Sequence, residues 1–250
     1  MSDEPLLTIR RLSKRFDGFA AVDGIDLDVM PGTIHAVIGP NGAGKTTFFR
    51  LLTGEHRPTT GSVSFAGSDI TRLRPHTRAR RGLSQSFQIT NVFPRMAVLE
   101  SIETALLAQL GRSWTLVGRR GASVQDEAMA LLERVGLAER AQTVAQNLSH
   151  GDQRILEVAL ALATRPRMLL LDEPTAGMSP FETDRMVELV VEMASAEQLT
   201  VLLSEHDMDV VFGISDQVTV LHQGQVIARG EPETVQRDER VVEVYLGSEA

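Results

Sequence analysis

The segment Gly39-Pro-Asn-Gly-Ala-Gly-Lys45-Thr46 limits what this chain can become more than any other. It grows out of Thr33–Gly39, an apolar run without alternation, which suits a parallel strand buried on both faces. It leads into Thr47–Leu52, an apolar segment that opens a helix. Between them, glycines let backbone N–H groups wrap an anion, and the helix N-terminus adds its partial positive charge. The pattern G-x-x-x-x-G-K-[ST] in a strand–loop–helix context predicts a nucleoside triphosphate site, with Gly39, Pro40, Asn41, Gly42, Ala43, Gly44, Lys45, Thr46 and Thr47 around the phosphates. Lys45 brings a compact ammonium to the β- and γ-phosphates, and the Thr46 hydroxyl is a hard oxygen donor for Mg²⁺. Lysine occurs only at positions 14 and 45, and the other 23 of the 25 cationic residues are Arg, so a lysine inside this loop stands out.

The rest of the chain supports an α/β core. Leu6–Leu12, Ile25–Val29 and Ser62–Ala66 have a period near two and read as short strands. Val98–Leu110 and Val124–Val135 have helical spacing, with Ala128, Leu131, Leu132 and Val135 on one face and Gly136 as a stop. Gly111–Gly121, which holds Trp114, reads as a loop. From residue 148 onward a helix over 152–165, a strand over 168–172, a helix over 180–196 and a strand over 200–204 alternate, which predicts a parallel sheet with helices on its faces. Arg72–Arg81 carries five arginines in ten residues and reads as a solvated, helix-forming face.

Composition excludes more than it selects. With no cysteine, disulfide scaffolds, iron–sulfur clusters and thiol nucleophiles are ruled out. A net charge of −8 argues against a nucleic-acid surface. The acidic, polar start Met1–Pro5 does not resemble a secretory signal, and the apolar runs are far short of the ~20 residues of a membrane helix.

Two further segments bear on phosphate chemistry. Met168-Leu-Leu-Leu171-Asp172-Glu173 is a buried strand ending in two acids, at the end where ligands bind in such sheets. Asp172 would hold Mg²⁺ through water, and Glu173 can orient and deprotonate an attacking water. Leu148-Ser149-His150-Gly151-Asp152 precedes a helix, and on its own reads as a capping box of Ser149 with Asp152.

In that order, with Phe16, Gln88 in Ser86-Phe-Gln-Ile, and Glu205-His206-Asp207, these segments resemble the ATP-binding cassette family, the motor subunits of ABC transporters. The resemblance covers nearly the whole chain. It implies a P-loop NTPase (RecA-like) core with a parallel sheet, an N-terminal antiparallel β subdomain and an inserted helical subdomain. The implied layout is one domain over 1–250: 1–94 and 156–235 as the nucleotide-binding core, 95–155 as the helical signature subdomain, and 236–250 as a C-terminal helix. Phe16 would stack on adenine. Gln88 would reach Mg²⁺ and the γ-phosphate while its loop touches a membrane subunit. Ser149 and Gly151 would bind the γ-phosphate held by the other protomer of a head-to-tail dimer. His206 would contact the γ-phosphate and hold Glu173 and water in line. ATP and Mg²⁺ are the implied ligands. His150 and Asp152 depart from the family's Leu-Ser-Gly-Gly-Gln, and Asp152, which would repel a phosphate, is assigned to capping. Ser179 stands where the family often has Asp, and Ser179-Pro-Phe-Glu182 reads instead as a helix start with Pro at the first helical position.

The segments Phe87–Pro94, Ala176-Gly-Met-Ser-Pro, Glu205-His-Asp-Met and Arg240–Gly247 look most like the ATPases of branched-chain amino acid importers. The resemblance then implies a second ATPase subunit (identical or not), two transmembrane permeases, an extracytoplasmic solute-binding protein reached indirectly, and a peripheral place on the cytoplasmic face of the cell membrane. Amide or urea importers, lipopolysaccharide-type exporters and cassettes that remodel soluble complexes remain as other classes at this level.

Overall fold

A computed structural model describes residues 4–86, 94–109 and 121–246. Strands β1 (Leu7–Phe16), β2 (Phe19–Val29), β4 (Thr60–Phe65) and β5 (Ser68–Asp69) form an antiparallel sheet in the order β2-β1-β4-β5. A second, six-stranded sheet has the order β10-β9-β3-β8-β7-β6, made of β3 (Ile34–Ile38), β6 (Leu83–Gln85), β7 (Met168–Asp172), β8 (Thr200–Ser204), β9 (Gln217–His222) and β10 (Gln225–Gly230). All its pairs are parallel except the hairpin of β9 with β10. The helices are α1 (Lys45–Thr53), α2 (Pro75–Arg80), α3 (Val98–Gln109), α4 (Gly121–Arg134), α5 (His150–Leu162), α6 (Pro180–Glu197), α7 (Met208–Ile214), α8 (Pro232–Gln236) and α9 (Glu239–Leu246).

The unbroken apolar strands are explained by two cores, one on each side of the parallel sheet. Leu169 and Leu171 of β7 and Val201 and Leu203 of β8 face a core built with helices α3 to α7. Their neighbours Met168, Leu170 and Leu202 face a second core shared with α1 and the antiparallel sheet. A strand that must be apolar on both faces cannot alternate. Because the central strands run parallel, their C-terminal ends gather on one edge. That edge carries the loop before α1, Asp172 and Glu173 at the end of β7, and Glu205 and His206 after β8.

The arginine-rich segment departs from its expectation. Helix α2 does form there, but Arg78 is only 1% exposed. Its guanidinium donates to the carbonyls of Leu51 (2.7 Å), Leu52 (2.6 Å), Thr71 (2.9 Å) and Leu73 (3.1 Å), so it closes the C-terminal end of α1. Charge periodicity cannot signal this, because the acceptors are backbone groups. Burial lowers the Arg78 pKa to about 10, with Asp69 pulling it back up.

Candidate active site

The loop before α1 is built to receive an anion. Gly39 has φ +151° and Gly44 φ +103°; a Cβ at the first would strike the Leu221 carbonyl, and at the second the Ala21 carbonyl. Helix α1 starts at Lys45 with no side-chain cap and no acid in its first turn, so its N-terminal N–H groups keep their partial positive charge. The Lys45 ammonium donates to the Gly39 carbonyl at 2.6 Å and is almost fully buried. That burial lowers its pKa, while the charges of Glu173 and Asp172, which share this edge of the sheet, raise it. Thr46 is exposed in the first turn of α1, with Thr47 half-buried beside it.

Three consecutive residues at the end of β8 meet the end of β7. The Ser204 hydroxyl donates to Asp172 Oδ1 at 2.5 Å, and the Glu173 amide donates to the Ser204 carbonyl at 3.0 Å. The buried Glu205 carboxylate accepts from Thr175, and His206 Nε2 lies 2.6 Å from Glu173 Oε1. Glu173 has φ +51°, a left-handed conformation that a residue with a Cβ adopts only at a cost of about 1–3 kcal/mol. His206 and Glu173 are thus in contact, and the Glu173 carboxylate sits on a strained turn held by the neighbouring strand.

The signature segment folds as a cap, in a form that differs in one respect from the expected box. Ser149 accepts from the Asp152 amide at 3.1 Å as the N-cap of α5. The Asp152 carboxylate, however, is drawn to Arg185 of α6 at 3.3 Å. Glu182, at the third position of α6, completes a full capping box with Ser179. It also accepts from the Gly151 amide (3.2 Å) and the Ser149 hydroxyl (3.3 Å). These donations, with those of Ser179 first, lower its pKa. One carboxylate thus occupies the two donors that the resemblance assigns to a phosphate. The spacing of Ser179 and Glu182 announces the cap, but nothing local announces the contact with Ser149, thirty-three positions away.

Phe16 ends β1, is 39% exposed as a residue, lies edge-on to His56 at 5.5 Å, and has the Lys14 ammonium 4.9 Å from its ring centroid. Lys14 also donates to the Arg57 carbonyl, which gives this second lysine a place in the structure. Gln88 and Trp114 lie outside the described residues. Sequence reasoning missed Tyr245 of α9, whose hydroxyl faces the Gly39 backbone. Burial pushes its phenol up to about 12, with the Gly39 backbone pulling it back down.

Residues 22–176 match the ABC transporter family, to which the chain belongs. Residues 225–250 match the branched-chain amino acid ATP-binding cassette transporter family. The high-affinity branched-chain amino acid transport ATP-binding protein LivG of Escherichia coli K12 is 41% identical to this chain, over 98% of each. Its counterpart BraF of Pseudomonas aeruginosa is 40% identical, over 97% of this chain and 98% of that protein. Among solved structures, a nucleotide-free ATP-binding cassette from an ABC transporter superposes with a TM-score of 0.85 at 30% identity, over 96% of this chain and 98% of the other. A cassette in its ADP conformation superposes with a TM-score of 0.86 at 31% identity, over 97% and 99%. These likenesses agree with the RecA-like core and antiparallel β subdomain expected from sequence.

Proposed function

We propose that this chain is the ATP-hydrolysing subunit of an importer for branched-chain or closely related amino acids. The observation that carries the reading is the convergence of Lys45, Asp172, Glu173 and His206 from separate segments at one edge of the sheet. Phe16 stacks on adenine, residues 39–47 hold the phosphates, and Lys45 turns from the Gly39 carbonyl to the β- and γ-phosphate oxygens. Glu173 takes a proton from the attacking water, whose oxygen bonds to the γ-phosphorus as the bond to the β–γ bridging oxygen breaks and ADP leaves. His206 holds the Glu173 carboxylate and contacts the γ-phosphate.

Mg²⁺, when bound, would neutralise the charge developing on the phosphates. The chemistry of the donor set fits it: Thr46 and Asp172 offer a hydroxyl and a carboxylate, hard oxygens of the kind this ion prefers. No group of three or more His, Cys, Asp or Glu side chains that could hold a metal ion exists among the described residues. Such an ion would be held mainly by the phosphates, with few protein oxygens. Gln88 would join them from the segment after β6.

The signature residues Ser149 and Gly151 would bind the γ-phosphate held by a second ATPase subunit, with the Glu182 carboxylate withdrawing as the dimer closes. A groove of about 170 Å³, lined by Leu83, Gln85, Ala105, Leu160 and Thr164 among others, lies where β6 leads toward Gln88. We assign it to one of two membrane permeases, the route by which closure reaches an extracytoplasmic binding protein. No helix among the described residues is long and apolar enough to cross a membrane, which is consistent with peripheral attachment through such permeases. The helical part 95–155 would move with the signature against the core 1–94 and 156–235, with 236–250 as a C-terminal helix.

The reading is tested by ATP turnover and nucleotide binding of the purified chain and of the assembly it co-purifies with. Lys45→Ala should lose ATP binding, and Glu173→Gln should bind ATP but turn it over at least ~100-fold more slowly. Co-purification with two polytopic permeases, and leucine uptake by vesicles carrying them, support import. A soluble partner in their place would refute it.

A further inference from the structure

We propose that Glu205 is a positioning residue for hydrolysis, holding the Glu173 turn and the His206 backbone in one register. This deepens the reading of Glu173 and His206 given above and rests on it. Glu205 is 3% exposed, and among the described residues neither Lys nor Arg pairs with it. Its partners are neutral donors: Oε1 accepts from the Thr175 amide (2.8 Å) and hydroxyl (2.7 Å), and Oε2 accepts from the His206 amide (3.2 Å).

A buried charge without a counter-charge costs several kcal/mol unless hydrogen bonds replace its water. Stability alone is a weak reason to keep a carboxylate here, since a smaller polar or apolar side chain avoids that cost. What a carboxylate supplies is two acceptor oxygens facing opposite ways. Gln can offer its carbonyl to Thr175 or to His206, but its NH₂ then points a donor at the donor on the other side. Glu205 therefore ties both segments as no other side chain of its size can.

The tie acts where the backbone needs it. Glu173 is in the left-handed region, and such a conformation persists only where the surroundings over-determine it. On its N-terminal side the turn is held by Ser204, whose carbonyl and hydroxyl accept from the Glu173 amide at 3.0 and 3.2 Å. Two residues beyond Glu173 it is held by Glu205 through Thr175. The same carboxylate fixes the amide of His206, whose ring meets Glu173 Oε1 at 2.6 Å. Loss of Glu205 leaves the Glu173–His206 pair attached at one end only.

The test compares Glu205→Gln, Glu205→Ala and Thr175→Val with wild type in the full chain. It measures kcat for ATP, the Kd of a fluorescent ATP analogue, and Tm. The expected result is a fall in kcat of about 10-fold for Glu205→Gln and about 100-fold for Glu205→Ala, the size produced by misplacing a reacting group by about 1 Å. Nucleotide affinity should stay within about twofold, because Glu205 touches none of the loop 39–47, and adding Thr175→Val to Glu205→Ala should lower kcat no further. Wild-type kcat in Glu205→Gln, a loss that appears as weaker nucleotide binding, or additive effects of the two substitutions would each overturn the proposal. If Glu205→Ala does not fold, Glu205→Gln alone and combined with Thr175→Val decides on the same criteria. Glu173→Gln is the control. If it retains wild-type turnover, the reading of Glu173 fails and this proposal with it. If it is inactive while the Glu205 variants are unaffected, only the role of Glu205 is lost.

Discussion

Single residues in this molecule act through what surrounds them more than through their identity. Of the six histidines, His206 lies at the sheet edge against Glu173, whereas His35 is buried in β3 with Nε2 2.8 Å from the Thr219 hydroxyl. Burial, with the nearby charge of Arg229, lowers the His35 pKa from 6.5 to about 3. Between those values the unfolded chain binds a proton at this position and the folded chain does not, so folding loses stability as pH falls. We expect His35 to remove about 1.4 kcal/mol per pH unit below 6.5, a slope that ends near the folded value of 3. Denaturant melts across that range should show a shallower loss in His35→Gln than in wild type, and parallel curves would show that His35 does not carry the effect.

Among the elements, helix ends carry much of the chemistry. Helix α1 begins without a cap because its free N–H groups serve the loop, whereas its other end is closed by Arg78. Arg78→Ala should cost about 3 kcal/mol, as four carbonyls, those of Leu51 and Leu52 buried, lose their donor, and Arg78→Lys should recover little because an ammonium cannot span the fork. Thermal melts of the two variants would measure this, and an unchanged Tm in Arg78→Ala would contradict it. Helix α6 is started by the Ser179 and Glu182 box, and Ser179→Ala should cost about 1 kcal/mol. The strands and helices around these ends were legible in sequence, since β7, β8 and α6 follow from apolar runs and a proline-led cap. The burial of Arg78 and the meeting of Glu182 with Gly151 were not, because their partners are backbone groups brought near by folding.

At the scale of the whole molecule, the parallel sheet collects its loops on one edge, while the signature at the start of α5 turns toward α6 of the same chain. The Glu182 carboxylate on Ser149 and Gly151 leaves those donors unavailable until something anionic replaces it. We expect Glu173→Gln with saturating ATP to pass from a 27.3 kDa monomer to a species of twice that mass. Ser149→Ala should weaken that step without altering nucleotide binding by the monomer. Light scattering after size exclusion reads both, and a chain that stays monomeric with ATP, alone and beside any permeases that co-purify with it, would rule out the closed dimer.

The sequence by itself determined the phosphate loop, the two-sided apolar strands, the acids at the end of β7 and the family. The first three are each written in a short window whose residue types and period follow from local backbone chemistry, and the family is written in the order of several such windows along the chain. Only the tertiary structure decided that Glu173 would stand on a left-handed turn, that Glu205 would clamp Thr175 to His206, and that Glu182 would cover the signature. Those contacts join β7 to β8 and α5 to α6 across some thirty positions of chain. A buried carboxylate chooses its donors only once the fold has taken away its water.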